Sequence, residues 1–507
     1  MILDGNSLSL HGIFEELKSP TKLSLSSEST RLVRRSREVV ENMLVAGKTV
    51  YGVNTGFGKL ANQRISSENL RQLQVNLLRS HAAGTGGYFS QKTVRLILLL
   101  KINSLLRGYS GIRLEVIEAL INLYNNNLTP AIRERGSVGA SGDLAPLADL
   151  ALPLIGEGQF LMDDGSVKPA AELLNQANLP IVELKEKEGL SLINGTQVST
   201  ALAIESLENI QDLFLTISGT GAFSTEVMLG TDTAFKKEIQ EARNQPGQVF
   251  AGEILFTLMA DSGYRDAHLD CDRVQDFYSL RCMPQVHGSW YDLIVYAERI
   301  LTQEANSTTD NPVTLIEENM IVSGGNFHAA PIGHIMDYLA IALSDVASMS
   351  ERRIAAFQET SQSNLPMFLM KEAGLNSGFM IAHVTAAALA SENKSLSHPA
   401  SVDSIPTSAN QEDHVSMAPI AGHQLKQVIS NASRIFAIEL MCAAQARDLN
   451  PQYHLAPSSE AIYQRIRQEV PYLEVDGSLS THIENIYEMI SSGAIAKIVK
   501  HRLEAQA

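Results

Sequence analysis

The residues best suited to covalent chemistry lie in one glycine-rich loop, residues 136–143, with the sequence GSVGASGD. Glycine adopts turn conformations that strain other residues, so three glycines at a spacing of three allow a tight turn. In such a turn the Gly142 amide nitrogen could attack the Ala140 carbonyl carbon and close a five-membered ring. Loss of one water on ring closure and of the Ser141 hydroxyl as a second water would leave a methylidene-imidazolone. The loop could therefore make an electrophilic alkene from its own backbone.

Three other interpretations of this loop compete with that chemistry. A phosphate-binding loop is disfavoured because residues 132–135, IRER, do not predict a preceding strand and because Asp143 would repel a phosphate. A serine nucleophile elbow would require glycine where Asp143 stands. A purely structural loop, with Ser141 or Asp143 capping the next helix, needs no chemistry. The loop by itself leaves a structural and a chemical role open.

Composition describes an ordinary globular chain and excludes several functional classes. The 507 residues are 44% hydrophobic and 19% charged, with a net charge of −16 and a pI near 5.3, which argues against a nucleic-acid partner. No apolar run reaches the ~18 residues that a membrane span needs, so no membrane partner is expected. The N-terminus shows no secretory signal, and the three cysteines form no disulfide framework. These features predict a cytoplasmic location.

A zinc site was the remaining alternative for a cofactor. His268, Cys271, Cys282 and His287 offer two imidazoles and two thiols, but their spacing matches no common zinc finger. No H-E-x-x-H motif occurs either. We therefore expect no metal.

Helical periodicity dominates the chain and predicts a mainly α fold. Helices are expected over residues 27–45, from residue 66 onward, and over 90–107 and 113–126, with only short strand-like pieces near 159–162 and 181–184. Longer helices, apolar on more than one face as in a buried bundle, are expected over 196–228, 288–305, 332–357 and 418–448. This pattern predicts a loop-rich N-terminal domain, 1–200, and a long-helix bundle domain, 201–507.

Polar insertions between the helical segments could supply further functional groups. They are residues 51–58 (YGVNTGFG), 80–86 (SHAAGTG), 194–197 (NGTQ), 275–282 (QDFYSLRC), 306–312 (NSTTDNP) with 324–328 (GGNFH), and 410–414 (NQEDH). Each has an ordinary structural explanation when taken alone. Tyr51 could be a packed aromatic, His81 a core histidine, Asn194 a helix cap, Arg281 a surface cation and Glu412 a solvated carboxylate.

Together these stretches resemble the aromatic amino-acid ammonia-lyase family, and within it the histidine-acting branch. Residues 139–147, GASGDLAPL, are similar to the family's prosthetic-group signature. Residues 51–58, 80–84, 278–282 and 408–417 are similar to its other blocks. The NQEDH sequence is typical of histidine-acting members, whereas the phenylalanine- and tyrosine-acting branches tend to carry Asn-Gln-Asp there. The similarity runs from about Asp4 to Asp448.

The resemblance implies an architecture and a reaction. It implies a fumarase/aspartase-like helix bundle that assembles as a homotetramer, with each active site completed by residues from three subunits. The prosthetic group would be 4-methylidene-imidazol-5-one formed from Ala140-Ser141-Gly142, with no metal and no external cofactor. The small-molecule substrate would be L-histidine, deaminated to trans-urocanate and ammonia.

The resemblance also implies a role for each site residue. Tyr51, on a mobile loop, would remove the β-proton, and Arg281 would hold the substrate carboxylate with its fork of donors. His81 and Glu412 would bind the imidazole. The residues that would line or polarise the prosthetic group are Asn194, Gln275, Tyr278 and Phe327. Of these, Tyr278 would be a catalytic residue. Asp143 would help the group to form.

Two departures from the family pattern leave the fine substrate preference open. Phe277 stands where relatives often have proline, and Ala330 where histidine-acting members often have glutamate. A tyrosine ammonia-lyase or an aminomutase of the same family is therefore the nearest alternative. An alternative from another class is a non-catalytic helical scaffold in which residues 136–143 form only a capped loop. Whether the electrophile attacks the amine or the ring of the substrate is also open.

Overall fold

The structure is a computed structural model that describes residues 1–56, 58–60, 62–63, 65–267 and 274–506. These residues form 21 α-helices and four two-stranded sheets, so the predicted mainly α fold is confirmed. Within the same ranges, no helix has both the length and the apolar character that crossing a lipid bilayer requires.

The helices are numbered here in chain order. The first eight are α1 Leu10–Lys18, α2 Ser27–Val45, α3 Leu70–His81, α4 Gln91–Leu106, α5 Leu114–Asn125, α6 Leu144–Ala151, α7 Ala170–Gln176 and α8 Glu188–Ile193. The next seven are α9 Gln197–Val227, α10 Lys237–Arg243, α11 Pro246–Leu258, α12 Gly263–Ala267, α13 Tyr278–Arg281, α14 Met283–Ala305 and α15 Ala330–Gln358. The last six are α16 Thr360–Ser363, α17 Met380–Leu396, α18 Ala418–Leu449, α19 Pro457–Arg467, α20 Ser480–Ser491 and α21 Ala494–Glu504.

Short strands and 3-10 turns connect the helices. The strands are β1 Ile2–Leu3, β2 Ser24–Leu25, β3 Thr85–Tyr88, β4 Arg133–Arg135, β5 Gln159–Leu161, β6 Val167–Pro169, β7 Val313–Leu315 and β8 Met320–Val322. They pair as β1 with β2 in parallel, and as β3–β4, β5–β6 and β7–β8 in antiparallel fashion. The 3-10 turns are Gly58–Leu60, Ser67–Asn69, Leu152–Ile155, Thr233–Phe235, Met367–Leu369, Ala400–Val402 and Ser408–Asn410.

The chain divides into two compact units, each discontinuous in sequence. Unit 1 comprises Met1–Glu205, Glu298–Met336 and Pro399–His423, and contains every described strand and the glycine-rich loop. Unit 2 comprises Ser206–Ala297, Asp337–His398 and Gln424–Ala507 and is helical. The division into domains 1–200 and 201–507 stays a prediction.

Local sequence accounts for helix α4 in unit 1. Ser90 is its N-cap, and the Ser90 side chain accepts a hydrogen bond from the Thr93 amide, which satisfies one donor of the first turn. Apolar residues surround the helix, so it is buried almost from end to end rather than on one face. Lys101 and Asn103 are buried with them. A buried lysine in such a helix must find a polar partner.

The four predicted long helices are confirmed as α9, α14, α15 and α18. Three begin and end within two residues of the predicted bounds, because their apolar residues keep a helical period. Helix α14 begins at Met283, five positions before the predicted residue 288. Pro284 falls in its first turn, where the missing N–H of proline does no harm.

Two sequence expectations about strands were wrong. Residues 181–184 have no regular structure, because no neighbouring strand forms a ladder with them. Residues Arg133–Arg135 do form a strand, β4, paired with β3. Its three charged residues do not form the apolar pattern that predicts a strand. The Arg133 guanidinium lies 3.9 Å from the centre of the Tyr88 ring on the paired strand. The glycine-rich loop therefore does follow a strand.

Candidate active site

The glycine-rich loop is packed so tightly that two of its glycines cannot be replaced without displacing neighbouring atoms. Gly142 has φ +77°, and a Cβ atom there would lie 2.1 Å from the Gly195 carbonyl oxygen. Gly139 has φ +64°, and a Cβ atom there would lie 2.2 Å from Ser416 Oγ. Both positions thus require glycine for space as well as for conformation.

Hydrogen bonds hold the tripeptide Ala140-Ser141-Gly142 at both ends. Before it, the Ser416 hydroxyl donates to the Gly139 carbonyl oxygen at 3.0 Å, and the Met417 amide donates to Val138 at 2.9 Å. After it, the Asp143 amide donates to the Gly195 carbonyl oxygen at 2.8 Å. Segments distant in sequence therefore fix the ends of the tripeptide.

The Asp143 carboxylate is buried and does not cap the following helix. Asp143 occupies the N-cap position of α6 but makes no side-chain cap hydrogen bond. It accepts instead from the Ser137 hydroxyl at 3.1 Å and from the Ser199 hydroxyl and amide at 2.9 and 2.8 Å. Burial raises the pKa of Asp143 above its ordinary value, although the Ser199 and Ser137 hydrogen bonds oppose the shift. The interpretation of Asp143 as a helix cap is therefore wrong for its side chain.

The Glu412 carboxylate lies directly beside the tripeptide. The Ser141 hydroxyl donates to Glu412 Oε1 at 2.7 Å, and the Thr407 and Ser408 hydroxyls donate to Oε2 at 2.8 and 2.7 Å. Burial alone would raise the pKa of Glu412, but the hydroxyl hydrogen bonds outweigh it and hold this pKa below its ordinary value. Glu412 is thus an ionised acceptor rather than a freely solvated side chain.

His81 ends helix α3 and interacts electrostatically with Glu412. Its Nδ1 lies 2.8 Å from the Leu77 carbonyl oxygen, so Nδ1 carries the proton and Nε2 keeps a lone pair. Burial lowers the pKa of His81, although the Leu77 hydrogen bond and the Glu412 charge oppose the shift. The neutral imidazole therefore offers an acceptor at Nε2.

Asn194 is held at its backbone and at its side chain. Its amide Nδ2 donates to the Asn311 carbonyl oxygen at 2.8 Å and to Asp310 Oδ1 at 3.3 Å. Its backbone carbonyl oxygen accepts from Lys101 Nζ at 2.7 Å. Asn194 Oδ1 is buried and has no hydrogen-bond partner among the described residues. The amide group expected to polarise the prosthetic group is thus bonded within the protein, and its oxygen is free.

Lys101, which donates to the Asn194 carbonyl oxygen, was not among the site residues that the sequence predicts. The one signal was its position inside the apolar run LILLLKIN, residues 96–103, where a lysine is out of place.

Tyr51 and Phe327 are the other predicted site residues of unit 1. Tyr51 is half-buried, and its hydroxyl accepts from the Gly58 amide at 3.3 Å. Asn54 ties this segment together, accepting from the Val50 amide at 2.8 Å. Phe327 is half-buried in the turn that precedes α15. Phe57, the seventh residue of the motif at 51–58, lies outside the described residues.

Three predicted site residues belong to unit 2. Helix α13 carries Tyr278 and Arg281, and the Arg281 guanidinium lies 4.6 Å from the centre of the Tyr278 ring. Tyr278 is 70% exposed, and Gln275 is exposed as well. The Ser279 carbonyl oxygen accepts from Arg353 Nη1 at 3.1 Å, which fixes the short helix.

The metal alternative finds no site in the described part of the chain. No group of three or more His, Cys, Asp or Glu side chains there could hold a metal ion. Cys282 and Cys442 are free thiols. His268 and Cys271, half of the zinc set considered from the sequence, lie outside the described residues.

The tripeptide fits the predicted ring closure. Its central serine is hydrogen-bonded to a carboxylate, its third residue cannot carry a side chain, and both of its ends are fixed. Such preorganisation favours reaction between neighbouring backbone groups.

Comparison with known proteins gives consistent matches over nearly the whole chain. The family model described as aromatic amino acid lyase matches residues 8–468. The histidine ammonia-lyase of Legionella pneumophila is 47% identical over 489 residues, 96% of each chain. That of Vibrio cholerae is 45% identical over 504 residues, 99% of this chain and 98% of the relative.

Solved structures give the same result. The histidine ammonia-lyase from Trypanosoma cruzi aligns with a TM-score of 0.90 at 37% identity, over 99% of this chain and 95% of that one. The tyrosine aminomutase from Streptomyces globisporus aligns with a TM-score of 0.93 at 33% identity, over 99% of this chain and 98% of that one.

Proposed function

Because the chain belongs to the aromatic amino acid lyase family and has its helical, fumarase-like fold, we propose that it removes ammonia from L-histidine without oxidation and releases trans-urocanate, the first step of histidine degradation. The observation that carries the choice of substrate is the ionised Glu412 carboxylate, bonded to the tripeptide at Ser141 and coupled to His81. The 45–48% identity to histidine ammonia-lyases supports the same choice.

The proposal includes a prosthetic group made by the chain. Ala140-Ser141-Gly142 would cyclise to 4-methylidene-imidazol-5-one, with no metal and no external cofactor, and Asp143 would assist. When formed, this group supplies an electrophile that either makes the substrate amine a better leaving group or makes its β-proton more acidic.

Two acceptors would recognise the imidazole ring. Glu412 would accept a hydrogen bond from one ring N–H. His81 Nε2 would accept a second hydrogen bond, because the other ring nitrogen, Nδ1, already donates to the Leu77 carbonyl oxygen. A histidine ring can carry two N–H donors, whereas the phenol of tyrosine has one O–H. Matching donors to acceptors therefore favours histidine, because a buried acceptor left unpaired weakens binding.

The remaining roles concern the reacting end of the substrate. We propose that Tyr51 takes the β-proton and that Arg281 binds the carboxylate through its fork of donors. The prosthetic group would be lined or polarised by Asn194, Gln275, Tyr278 and Phe327. Of these, Tyr278 would act as a catalytic residue.

We also propose a homotetramer whose active sites combine residues from three subunits. This proposal follows from the membership of the chain in the aromatic amino acid lyase family. A cytoplasmic location is part of the proposal and is supported by the free thiols of Cys282 and Cys442.

Replacement of Ser141 tests the self-made prosthetic group. Intact wild-type protein should be lighter than its encoded sequence by two waters, and Ser141→Ala should have its encoded mass. The variant should fold normally and lose about 10³-fold or more of its urocanate production, because the covalent catalytic group is missing. Ser166→Ala, a serine exposed on a turn, should keep both the mass loss and the activity. A wild-type mass equal to the encoded mass would exclude the prosthetic group.

Replacement of Glu412 tests the substrate. Glu412→Ala should lower kcat/KM for histidine by roughly 10- to 100-fold, the range for a lost charged hydrogen bond, and should affect trace activity on tyrosine far less. Glu412→Gln keeps the shape of the side chain and removes its charge. It should therefore also lower kcat/KM for histidine more than it lowers the trace activity on tyrosine. Equal losses on histidine and tyrosine would favour the tyrosine ammonia-lyase or aminomutase alternative.

A further inference from the structure

Lys101 is a buried cation next to the predicted reaction centre that the proposed mechanism does not use. It lies on α4, 1% exposed, and its ammonium donates to the Asn194 backbone carbonyl oxygen at 2.7 Å. Within the described part of the chain it forms no ion pair. An ammonium buried without a carboxylate is costly, and an apolar side chain of the same length would avoid that cost. Its presence calls for a role.

The carbonyl that Lys101 holds leads directly to the tripeptide. The Asn194 carbonyl belongs to the peptide that joins Asn194 to Gly195. Gly195 forms an isolated parallel bridge with Gly142 and accepts the Asp143 amide at 2.8 Å. A Cβ atom at Gly142 would lie 2.1, 2.5 and 2.7 Å from the oxygen, carbon and nitrogen of Gly195. The backbone of Gly195 is thus pressed against the third residue of the tripeptide.

A second lysine holds the other half of Asn194. Lys187 Nζ pairs with Asp310 Oδ2 at 2.9 Å, and Asp310 Oδ1 accepts from the Asn194 amide group at 3.3 Å. Lys187 and Asp310 therefore fix the Asn194 side chain, while Lys101 fixes its backbone. The two lysines have separate tasks at one residue.

We propose that Lys101 is a positioning residue for formation of the prosthetic group. Its ammonium holds the Asn194 carbonyl, and this keeps Gly195 against Gly142 so that the Gly142 nitrogen stays close to the Ala140 carbonyl carbon. The inference rests on the ring closure described under Proposed function.

Lys101 contributes no atom to that reaction. A bond forms between the Gly142 nitrogen and the Ala140 carbonyl carbon. The Ala140 oxygen leaves as water with one hydrogen from the Gly142 nitrogen and one from the Ser141 nitrogen. The Ser141 hydroxyl leaves as a second water with the hydrogen of its own Cα. No oxidant or reductant is required.

Three variants of the full-length chain test this role by intact mass at successive times after cell-free synthesis. Lys101→Met keeps the length of the side chain and removes its charge, so it should lose the two waters at least about ten-fold more slowly than wild type. Lys101→Arg keeps the charge and should recover most of the rate. Leu99→Ala removes buried packing from the opposite side of α4 and should cyclise at the wild-type rate.

The pH dependence separates positioning by charge from a merely structural role. Burial lowers the pKa of Lys101 to about 7, against the opposing effect of Asp310 and with a smaller contribution from Lys187. The cyclisation rate of wild type divided by that of Lys101→Arg should therefore fall as pH rises from 6 to 8.5, because arginine stays charged. Asp310, Lys187 and Asp143 face the group in both proteins and cancel in the ratio. A ratio independent of pH would overturn the proposal, even if Lys101→Met does not fold.

The outcomes distinguish this inference from the proposed function. A wild-type chain that never loses two waters would overturn the ring closure and the role of Lys101 together. A wild-type chain that cyclises, with Lys101→Met equally fast, would overturn the role of Lys101 alone.

Discussion

Each compact unit contains a buried cation that donates to a backbone carbonyl of a predicted site segment, but the two cations differ in how their charge is balanced. In unit 1, Lys101 bonds the Asn194 carbonyl oxygen and has no carboxylate partner in the described part of the chain. In unit 2, Arg353 bonds the Ser279 carbonyl oxygen and also pairs with Glu439 through two hydrogen bonds of 2.6 and 2.9 Å. Arg353 and Glu439 are both fully buried.

Further hydrogen bonds complete the pair in unit 2. The Ser224 hydroxyl donates to Glu439 Oε1 at 2.6 Å, and the Ser350 hydroxyl donates to Oε2 at 2.5 Å. Each carboxylate oxygen thus has two donors. A bidentate arginine–carboxylate pair with all its acceptors satisfied has a well-defined geometry.

The difference suits the segments that the two cations hold. Helix α13 carries Arg281, which under the proposed function would present its charge to the substrate carboxylate in every turnover. The Asn194–Gly195 segment contacts the tripeptide, which under the proposed function would react only once. Burial lowers the pKa of Lys101 to about 7, so the support that we propose for this segment would depend on pH. The Arg353–Glu439 pair thus holds its segment by a charge-balanced interaction, whereas the hydrogen bond of the unpaired Lys101 ammonium depends on its protonation.

The largest effect should come from breaking the neutralised pair. Arg353→Met leaves the Glu439 carboxylate buried without its counterion, and the free energy of unfolding in urea should fall by about 3–5 kcal/mol. The double variant Arg353→Met/Glu439→Leu should recover most of this loss, because no uncompensated charge remains. Lys237→Ala, which breaks an exposed pair with Glu241, should change stability by less than about 1 kcal/mol.

The Arg353→Met variant should also affect catalysis without affecting ring closure of the tripeptide in unit 1. Protein of Arg353→Met that does fold should still lose two waters, because Arg353 holds α13 and not the tripeptide. Its kcat/KM for histidine should fall through the displaced Arg281. A double variant no more stable than Arg353→Met would show that charge balance is not what Arg353 supplies.

A smaller effect should appear in the pH dependence of stability. Because the pKa of Lys101 is about 7 in the folded chain and near its ordinary value when unfolded, the unfolded chain binds more protons between these values. Stability that depends on Lys101 therefore rises with pH above 7. Wild type relative to Lys101→Met should gain up to about 2 kcal/mol between pH 7 and 9 in urea unfolding. A difference that is constant over this range would show that Lys101 remains protonated throughout.

Much of the fold could be predicted from the sequence because its signals are local. The long helices α9, α15 and α18 follow from apolar residues recurring at a helical period, and Ser26 and Ser90 mark helix starts by hydrogen bonds that reach only three residues. Strand β4 could not be predicted, since its charged residues pair with β3, which lies 45 or more positions earlier in the chain. For residues 181–184 the sequence predicts a strand that the structure lacks, because a strand-like sequence forms a strand only where a partner strand pairs with it.

The candidate site divides along the same line. The sequence by itself determined the chemistry that the loop can do, since ring closure of Ala140-Ser141-Gly142 depends on three adjacent residues and on glycine at positions 139 and 142. It also determined which segments resemble a known family. Only the tertiary structure decided that Glu412 bonds Ser141, that Asp143 bonds Ser199 rather than capping α6, and that Lys101 supports Asn194. Bond-forming capacity is a property of neighbouring atoms, whereas burial, hydrogen-bond partners and pKa depend on segments brought together from more than 50 positions away.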